Sequence, residues 1–293
     1  MELTTLRHFV AIAREGHVTR AARTMGVSQP ALSAMLRKLE IELDAKLLHR
    51  TARGVELTEA GKVFAQHAEE AIRRAEAGIR AVKELQGLEQ GSIRIGGGAT
   101  ATTFLLPPVI SAIRKSHPGL RFYVREDGSS SVADAVLSGE LDLGIVTLPV
   151  LHPQADRLHK IPLASDELRL IVPPAHELAA SHHFRWTDLQ SQSVVAFEGG
   201  SAVRDLIDRA AAAAGVALNV VMELRSIESI RRMVTAGIGV GFVSRFALRS
   251  DEGLTCKDAR LERRLAIVRL RDREPTPAGA MFEKMLLETV AKG

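Results

Sequence analysis

The spacing of apolar residues changes near residue 92, and this change divides the chain into two parts of different fold class. Before it, apolar residues recur every three or four positions, which is the period of an amphipathic α-helix. After it, short runs such as SIRIGG, LDLGIVTL and GVGFVS, typical of buried strands, alternate with helical stretches. The sequence therefore predicts a small all-α N-terminal domain followed by a larger α/β domain with mainly parallel sheets.

The bulk composition is that of a globular protein, with 46% hydrophobic and 25% charged residues among 293. No apolar run approaches the roughly 20 residues that a membrane span needs, and the N-terminus lacks the pattern of a secretory signal. The single cysteine, Cys256, cannot form an internal disulfide. These features predict a cytoplasmic protein with no membrane partner.

Helical periodicity predicts three short helices at the N-terminus, over about 3–15, 18–25 and from 29 onwards. Gly16 and Gly26 are the expected ends of the first two. The third, SQPALSAMLRKLEIEL, begins at a capping serine and carries its leucines on one face. Its start and its opposite face present Ser28, Gln29, Pro30, Ser33, Arg37 and Lys38. This pattern predicts a helix-turn-helix whose outer face lies in the DNA major groove, where glutamine and arginine can bind purine edges.

The next segment, LLHRTARGVELTEAG, predicts two short strands around a turn, which form a wing carrying Arg50 and Arg53 near its tip. Between residues 17 and 53 the chain has seven basic and three acidic residues, an excess equal to the net charge of +4 of the entire chain. A compact basic patch of this kind can bind phosphates. The alternative is a small helical domain whose exposed arginines only solvate it.

Thr58 is the expected cap of a long helix that runs to about residue 88. Its apolar and small residues alternate steps of four and three, in a heptad stripe made of Phe64, Ala68, Ala71, Ala75, Gly78, Val82 and Leu85. Such a stripe has no evident core of its own, so it predicts pairing with the same helix of a second subunit as a homodimer. The alternative is packing against the chain's own C-terminal domain.

The segments RAARTMGVSQPALSAMLRKLE and LLHRTARGVELTEAG resemble the winged helix-turn-helix of the LysR-type transcriptional regulators. The resemblance is specific over about residues 1–65 and looser to the C-terminus. Two departures occur: the wing reads LLHR where members usually carry Leu-Phe, and Ala34 stands where a basic residue is common. Ala34 removes one possible contact with DNA. This affects which DNA sequence the protein recognises rather than whether it binds DNA.

The resemblance implies a winged helix-turn-helix domain, a dimerisation helix with hinge, and two Rossmann-like subdomains of the periplasmic-binding-protein type. The implied boundaries are 1–57 for the DNA-binding domain, 58–91 for the linker helix, and 92–293 for the effector-binding domain, with subdomain I over 92–161 and 267–293 and subdomain II over 162–266. It further implies a homodimer on an imperfect palindromic operator of double-stranded DNA, with two dimers joined as a homotetramer.

The loop IRIGGGATATTFLLPP offers a second interpretation, because Gly96, Gly98 and Ala101 match the dinucleotide motif G-x-G-x-x-A and an acidic pair, Glu126–Asp127, follows. A dinucleotide fold needs an unbroken helix after its glycines. Here Pro107–Pro108 follow within two turns and disrupt or offset that helix. A NAD-dependent oxidoreductase, and a solute-binding protein without a DNA role, are therefore the alternatives to a regulator.

Hydroxyl residues stand at the predicted starts of helices and at the end of one strand of the C-terminal part. In the family's layout they meet in a cleft between the subdomains, where the effector binds. The predicted effector-binding residues are Gly98, Thr100, Thr102, Ser129, Ser130, Thr147 and Ser201. Hydroxyls beside helix N-termini suit a small carboxylate or an inorganic oxyanion. Gly98 replaces a serine that many members carry.

No catalytic or metal-binding pattern emerges from the sequence. The segment HELAASHH, residues 176–183, collects three histidines, but its spacing does not place two of them on one helical face. The sequence therefore predicts no enzyme, no cofactor and no metal, and a ligand-responsive, DNA-binding transcription factor.

Overall fold

The computed structural model describes residues 1–51, 54–84 and 91–291. Two compact units make up the chain, Met1–Val82 and Lys83–Gly293. The long helix thus belongs to the N-terminal unit over most of its length, whereas the predicted boundary at 57–58 precedes it. Across the described ranges no helix has both the length and the apolar character needed to cross a bilayer.

The N-terminal unit is a three-helix core with a two-stranded wing and a long helix. Its elements are α1 Leu3–Glu15, α2 Val18–Met25, α3 Gln29–Glu42, β1 Leu48–Thr51, β2 Gly54–Leu57 and α4 Glu59–Glu84. Gly26 ends α2 with φ at 68°, a conformation that favours glycine, and Ser28 Oγ caps α3 by accepting from the Ala31 amide at 3.3 Å. Phe9, Ile12 and Leu32 fill the core. The predicted helix-turn-helix is therefore confirmed.

Glu40 ties α3 to the wing, a role that the sequence did not reveal. Its side chain is only 8% exposed, and its Oε1 accepts from the Leu47 amide at 2.9 Å and the Leu48 amide at 3.4 Å. Its Oε2 accepts from Lys46 Nζ at 2.7 Å. Burial raises the pKa of Glu40, but the hydrogen bonds from Lys46, Leu47 and Leu48 outweigh burial, so the pKa lies below its ordinary value.

We expect Glu40→Gln to destabilise the N-terminal unit by about 2 kcal/mol at neutral pH, because the amide cannot accept all three hydrogen bonds. The depressed pKa means that the wild-type contribution is present above the unfolded-state pKa of roughly 4.3 and is lost as pH falls through the folded-state value. Thermal unfolding between pH 3 and 7 measures this difference. Glu42→Gln, at an exposed position of the same helix, is the matched control. Equal pH dependence of the Glu40→Gln variant and wild type would contradict the assignment.

The first part of the heptad stripe packs inside the N-terminal unit. The Phe64 ring lies 5.3 Å from the Phe9 ring, and Ala68 is buried in the same cluster. The expectation that the stripe lacks a core of its own is therefore wrong for these two residues, because α1 covers them. Farther along α4, Gly78 and Val82 are exposed. Leu85 and the predicted helix end near residue 88 lie outside the described residues.

The C-terminal unit is built on one eight-stranded sheet in the order β4-β3-β5-β12-β6-β10-β8-β9. The strands are β3 Ser92–Gly97, β4 Arg121–Glu126, β5 Leu143–Leu148, β6 Leu158–Ile171, β7 His183–Phe184, β8 Ser193–Phe197, β9 Asn219–Leu224, β10 Val240–Ser244, β11 Thr255–Cys256 and β12 Glu262–Leu270. The helices are α5 Leu106–Ser116, α6 Ser129–Leu137, α7 Ala202–Ala213, α8 Ile227–Thr235 and α9 Pro277–Ala291.

The sheet is parallel in its two outer parts and antiparallel in its middle. Strands β3, β4 and β5 pair in parallel on one side, and β8, β9 and β10 on the other. Between them β6 and β12 pair antiparallel, because each of these strands passes from one half of the unit to the other in the opposite direction. The prediction of mainly parallel sheets thus holds for the two halves, and the predicted subdomain boundaries fall inside the two crossing strands.

Each half has its own hydrophobic core, as two subdomains require. In the first half, Ile95, Val109 and Phe282 are fully buried between the sheet and its helices. In the second half, Phe184 and Trp186 form an aromatic cluster with Phe242. Separate cores joined by two strands leave a cleft between the halves.

The glycine loop after β3 leads into an irregular helix, as the two prolines predict. A π-helical turn, Ala101–Leu105, precedes α5, and the Leu106 amide donates to the Ala101 carbonyl. Pro107 and Pro108 have no amide hydrogen to offer the carbonyls four residues earlier, so the regular α-helical hydrogen-bond pattern is interrupted just before them. The regular α-helix that a dinucleotide fold requires after its glycines is therefore interrupted here by a π-helical turn.

Candidate functional sites

Helix α3 presents most of the predicted DNA-binding residues to solvent. Ser28, Gln29, Pro30, Arg37 and Lys38 are exposed, whereas Leu32 and Leu39 on the opposite face are buried. Ser33 is half-buried and accepts from Gln29 Nε2 at 2.9 Å. This face therefore offers hydrogen-bonding and positively charged groups to an outside partner.

The two basic residues of this face, Arg37 and Lys38, are unpaired within the described part of the N-terminal unit. Within residues 1–51 and 54–84, no carboxylate forms an ion pair with Arg37 or Lys38, although many other basic residues of the unit are paired. An unpaired exposed cation keeps its full attraction for phosphate. Arg50, on β1, is also exposed, and Arg53 lies outside the described residues.

A cleft of about 280 Å³ lies between the two halves of the C-terminal unit. Five of the predicted effector-binding residues line it, namely Gly98, Thr100, Ser129, Thr147 and Ser201. Thr102 and Ser130 do not line it. The Thr102 hydroxyl donates instead to the Glu126 carboxylate, and Ser130 is exposed at the start of α6.

The cleft hydroxyls differ in what they can still bind. Ser201 Oγ caps α7 by accepting from the Arg204 amide at 3.2 Å, and its hydrogen is already donated to the Glu198 carbonyl at 3.0 Å. Ser129 Oγ accepts from the Thr147 amide at 3.0 Å, and Thr100 Oγ1 accepts from a guanidinium. An accepting hydroxyl keeps its own hydrogen for donation. Thr100 and Ser129 are therefore better placed than Ser201 to donate to a ligand.

That guanidinium belongs to Arg263, a residue that the sequence did not single out. Arg263 lies on β12, directly opposite Asp166 on β6, and lines the cleft with a side chain that is 8% exposed. Its NH2 donates to Thr100 Oγ1 at 2.7 Å, and its Nε donates to Asp166 Oδ2 at 2.8 Å. Four of the nine residues of ERRLAIVRL are charged, and a charged residue on a strand expected to be buried is the signal that could have indicated Arg263.

The acidic residues of the cleft are already engaged. Burial raises the pKa of Asp127, but bonds from Ser131, Arg125 and the Gly128 amide outweigh burial and hold the pKa below its ordinary value. Glu198 accepts from Arg225 Nε at 2.6 Å. Among the polar groups that line the cleft, by contrast, the hydroxyls of Thr100, Ser129 and Thr147 and the guanidinium of Arg263 can donate hydrogen bonds.

No group of three or more histidine, cysteine or carboxylate side chains in the described ranges could hold a metal ion. The histidine-rich segment 176–183 forms turns in which His176 and His183 bind neighbouring protein groups. Neither histidine contacts the cleft.

Two family models match the chain. The model described as "Bacterial regulatory helix-turn-helix protein, lysR family" matches residues 3–62, and the model "LysR substrate binding domain" matches residues 86–291. The first match favours a regulator over the alternative of a solute-binding protein without a DNA-binding module, and both together favour it over a NAD-dependent oxidoreductase.

Individual relatives agree with these models. A "Probable RuBisCO transcriptional regulator" of Synechocystis is 32% identical over 97% of this chain and 85% of its own length. The structure of full-length CbnR in complex with its target DNA has a similar fold, with a TM-score of 0.73 at 21% identity, over 99% of this chain and 100% of CbnR. The Synechocystis CcmR regulatory domain in complex with 2-PG matches with a TM-score of 0.62 at 22% identity, over 69% of this chain and 98% of that domain. This chain therefore belongs to the LysR family of transcriptional regulators, with a DNA-binding helix-turn-helix and an effector-binding domain.

Proposed function

We propose that the outer face of α3 reads one half-site of an imperfect palindrome while the wing contacts the adjacent backbone. Arg37, Lys38, Arg50 and Arg53 supply the salt-dependent affinity, and Ser28, Gln29, Pro30 and Ser33 supply the contacts with bases or with the nearest phosphates. The observation that carries this proposal is that Arg37 and Lys38 form no ion pair with any described residue of their unit, on a helix whose other face is buried. The two charges therefore remain available to bind the phosphates of an outside partner.

The test is binding of a DNA fragment from the intergenic region upstream of the protein's own gene. Arg37→Ala with Lys38→Ala should weaken binding roughly 10- to 100-fold at 0.15 M salt and reduce the slope of log K against log salt by about two. Arg114→Ala with Lys115→Ala, an adjacent exposed basic pair on α5, is the matched control. It should leave the affinity for the fragment and the salt slope unchanged. If the two double variants behaved alike, the proposed surface would be wrong.

We further propose that α4 pairs two subunits into a homodimer and that two dimers form a homotetramer. Support comes from the exposed apolar residues of α4, since Val63, Ile79 and Val82 are each more than half exposed. Exposed apolar residues at this density on one helix are typical of an interaction surface. Sedimentation of the wild-type protein bound to the same fragment measures the number of subunits in the complex. A homodimer has two subunits and a homotetramer has four.

The ligand of the cleft, in this proposal, is a small anion, a carboxylate or an oxyanion. Its support is the group of hydrogen-bond donors that Thr100, Ser129, Thr147 and Arg263 contribute to the lining of the cleft. The 2-PG held by the CcmR domain belongs to the same chemical class. Occupancy shifts the population of open and closed clefts and thereby changes how the protein bends its operator. The protein acts by binding rather than by catalysis, and it acts in the cytoplasm, where its DNA lies.

A further inference from the structure

The buried Asp166–Arg263 pair lies at the point where the two halves of the effector-binding unit meet. Its residues face each other across the antiparallel crossing strands β6 and β12. Asp166 is completely buried, and the Arg263 side chain is 8% exposed. Burial of two charges is unfavourable unless each is paired and hydrogen-bonded, so the environment of each charge must be accounted for.

Among the described residues, the hydrogen bonds to the Asp166 carboxylate come from two side chains. Oδ2 accepts from Arg263 Nε at 2.8 Å and lies 2.7 Å from NH2 of the same guanidinium. Oδ1 accepts from Ser244 Oγ at 2.7 Å. Ser244 is the last residue of β10, in the second half. Asp166 therefore connects Arg263 to a strand on the far side of the cleft.

The guanidinium of Arg263 has an N–H group without a short contact to any described residue. Nε and NH2 bind Asp166, and NH2 also binds Thr100 Oγ1 at 2.7 Å. The remaining nitrogen, NH1, has a single polar contact among the described residues, with Thr147 Oγ1 at the long distance of 3.5 Å. Since NH1 carries two hydrogens, at least one is free of a short protein contact. This nitrogen belongs to a side chain that is more than nine-tenths buried and lines the cleft.

The free donors around NH1 match an anionic group. Thr100 accepts from Arg263, so its hydroxyl hydrogen can turn towards a ligand, and Thr147 can do the same. A ligand oxygen beside NH1 contacts the positive edge of the guanidinium, whereas Asp166 holds the opposite edge. At this short range, the attraction to the guanidinium exceeds the repulsion from the more distant carboxylate.

We propose that Arg263 is the residue that selects an anionic effector, by binding it through NH1 together with the Thr100 and Thr147 hydroxyls. Asp166 is its positioning residue: it orients the guanidinium, weakens its attraction for anions, and links it through Ser244 to β10. This inference rests on the proposed effector function of the cleft. It adds the identity of the side chain that recognises the negative charge of the effector. It also adds the hydrogen bonds, through Asp166 and Ser244, that link this side chain to β10 in the second half.

The test uses the full chain and three probes, each alone: succinate, inorganic phosphate and 2-PG. The rise in melting temperature with probe concentration gives an apparent Kd by mass action. Arg263→Gln combined with Asp166→Asn removes both charges and leaves no lone buried ion, so it should fold and should bind the probe at least tenfold more weakly than wild type. Arg264→Gln, the next residue on the strand and exposed, is the matched control and should bind normally.

Two single variants separate charge selection from a merely structural role. Asp166→Asn keeps the shape of the side chain and removes its charge, so it should bind the probe roughly tenfold more tightly than wild type. Arg263→Lys keeps the positive charge and loses the planar group, so its affinity should fall between those of wild type and the double variant. A structural role alone would weaken binding in every variant.

Each result supports or contradicts a specific part of the proposal. If the double variant bound within twofold of wild type while Thr100→Val weakened binding, the cleft would take an anion without Arg263, and only this inference would fail. If Asp166→Asn weakened binding, the proposed role of Asp166 would be wrong. If none of the three probes raised the melting temperature of wild type, anion selection and the anionic part of the proposed function would fail together, whereas DNA binding is tested separately through Arg37 and Lys38.

Discussion

Gly61→Ala is expected to unfold the N-terminal unit and to abolish DNA binding. Gly61 lies in the first turn of α4, and a Cβ at this position would lie 2.0 Å from the carbonyl oxygen of Leu47. That oxygen cannot move freely, because it accepts from the Thr58 amide at 3.0 Å while the Leu47 amide is bound to Glu40. Overpacking against fixed backbone costs about 3 kcal/mol or more, which is a large part of the stability of a domain this small.

The matched control for this change lies in the same helix. At Gly78 an added Cβ would meet nothing within 4 Å, so Gly78→Ala should stabilise α4 by about 0.5–1 kcal/mol. Thermal unfolding by circular dichroism and binding of the upstream fragment measure both effects. A melting temperature of the Gly61→Ala variant within about two degrees of wild type would show that the close approach of α4 to Leu47 is not fixed.

Phe282→Ala is expected to lower the free energy of unfolding of the C-terminal unit by about 3–5 kcal/mol. Phe282 is fully buried between α9 and the sheet, and its ring lies 6.3 Å from that of Phe122 on β4. The same cluster contains Leu105 and Leu106, at the junction of the π-helical turn and α5. Because Thr100 directly precedes that turn, the cavity should also weaken binding of the anionic probe.

Urea unfolding followed by two signals measures this prediction. Trp186, the single tryptophan, lies in the core of the other half, so its fluorescence reports on that half while circular dichroism reports on both. Both curves should shift together, since β6 and β12 pass through both halves. Met281→Ala, at a half-buried position of the same helix, is the control and should cost about 1 kcal/mol. A shift confined to circular dichroism would mean that the halves unfold separately.

The N-terminal elements could be predicted from local sequence because local signals decide them. Gly16 and Gly26 end the first two helices in the left-handed conformation, and Ser28 caps the third. The wing forms around its glycine, with β1 and β2 paired as the turn predicts. In each case the deciding contacts join residues a few positions apart.

The centre of the cleft could not be predicted in this way. Arg263 and Asp166 meet because two antiparallel strands nearly a hundred residues apart adopt one register, and no local pattern fixes that register. The same limit applies to the serines and threonines. Ser129 and Ser130 are adjacent at the start of α6, yet only Ser129 lines the cleft, since the side of the helix that faces the cleft depends on the packing of the entire half.

The packing of Phe64 and Ala68 against α1 shows a further limit. Their heptad spacing is that of a helix pair, and it does not tell whether the partner helix belongs to the same chain or to another. Only the fold of α1 over the start of α4 decides this for the first two members of the stripe.

The crossing strands β6 and β12 restrict how the effector-binding unit can deform. Two separate, unpaired connections would let one half twist and slide relative to the other. Here the connections are hydrogen-bonded to each other from Glu262 opposite Glu167 to Leu270 opposite Leu158, with a single irregularity at Leu265/Ala266. A paired ribbon resists twisting and shearing but bends across its face, so the unit has in effect one soft degree of freedom. Chemically different ligands would then produce the same movement to different extents, and the response would be graded in size rather than varied in kind.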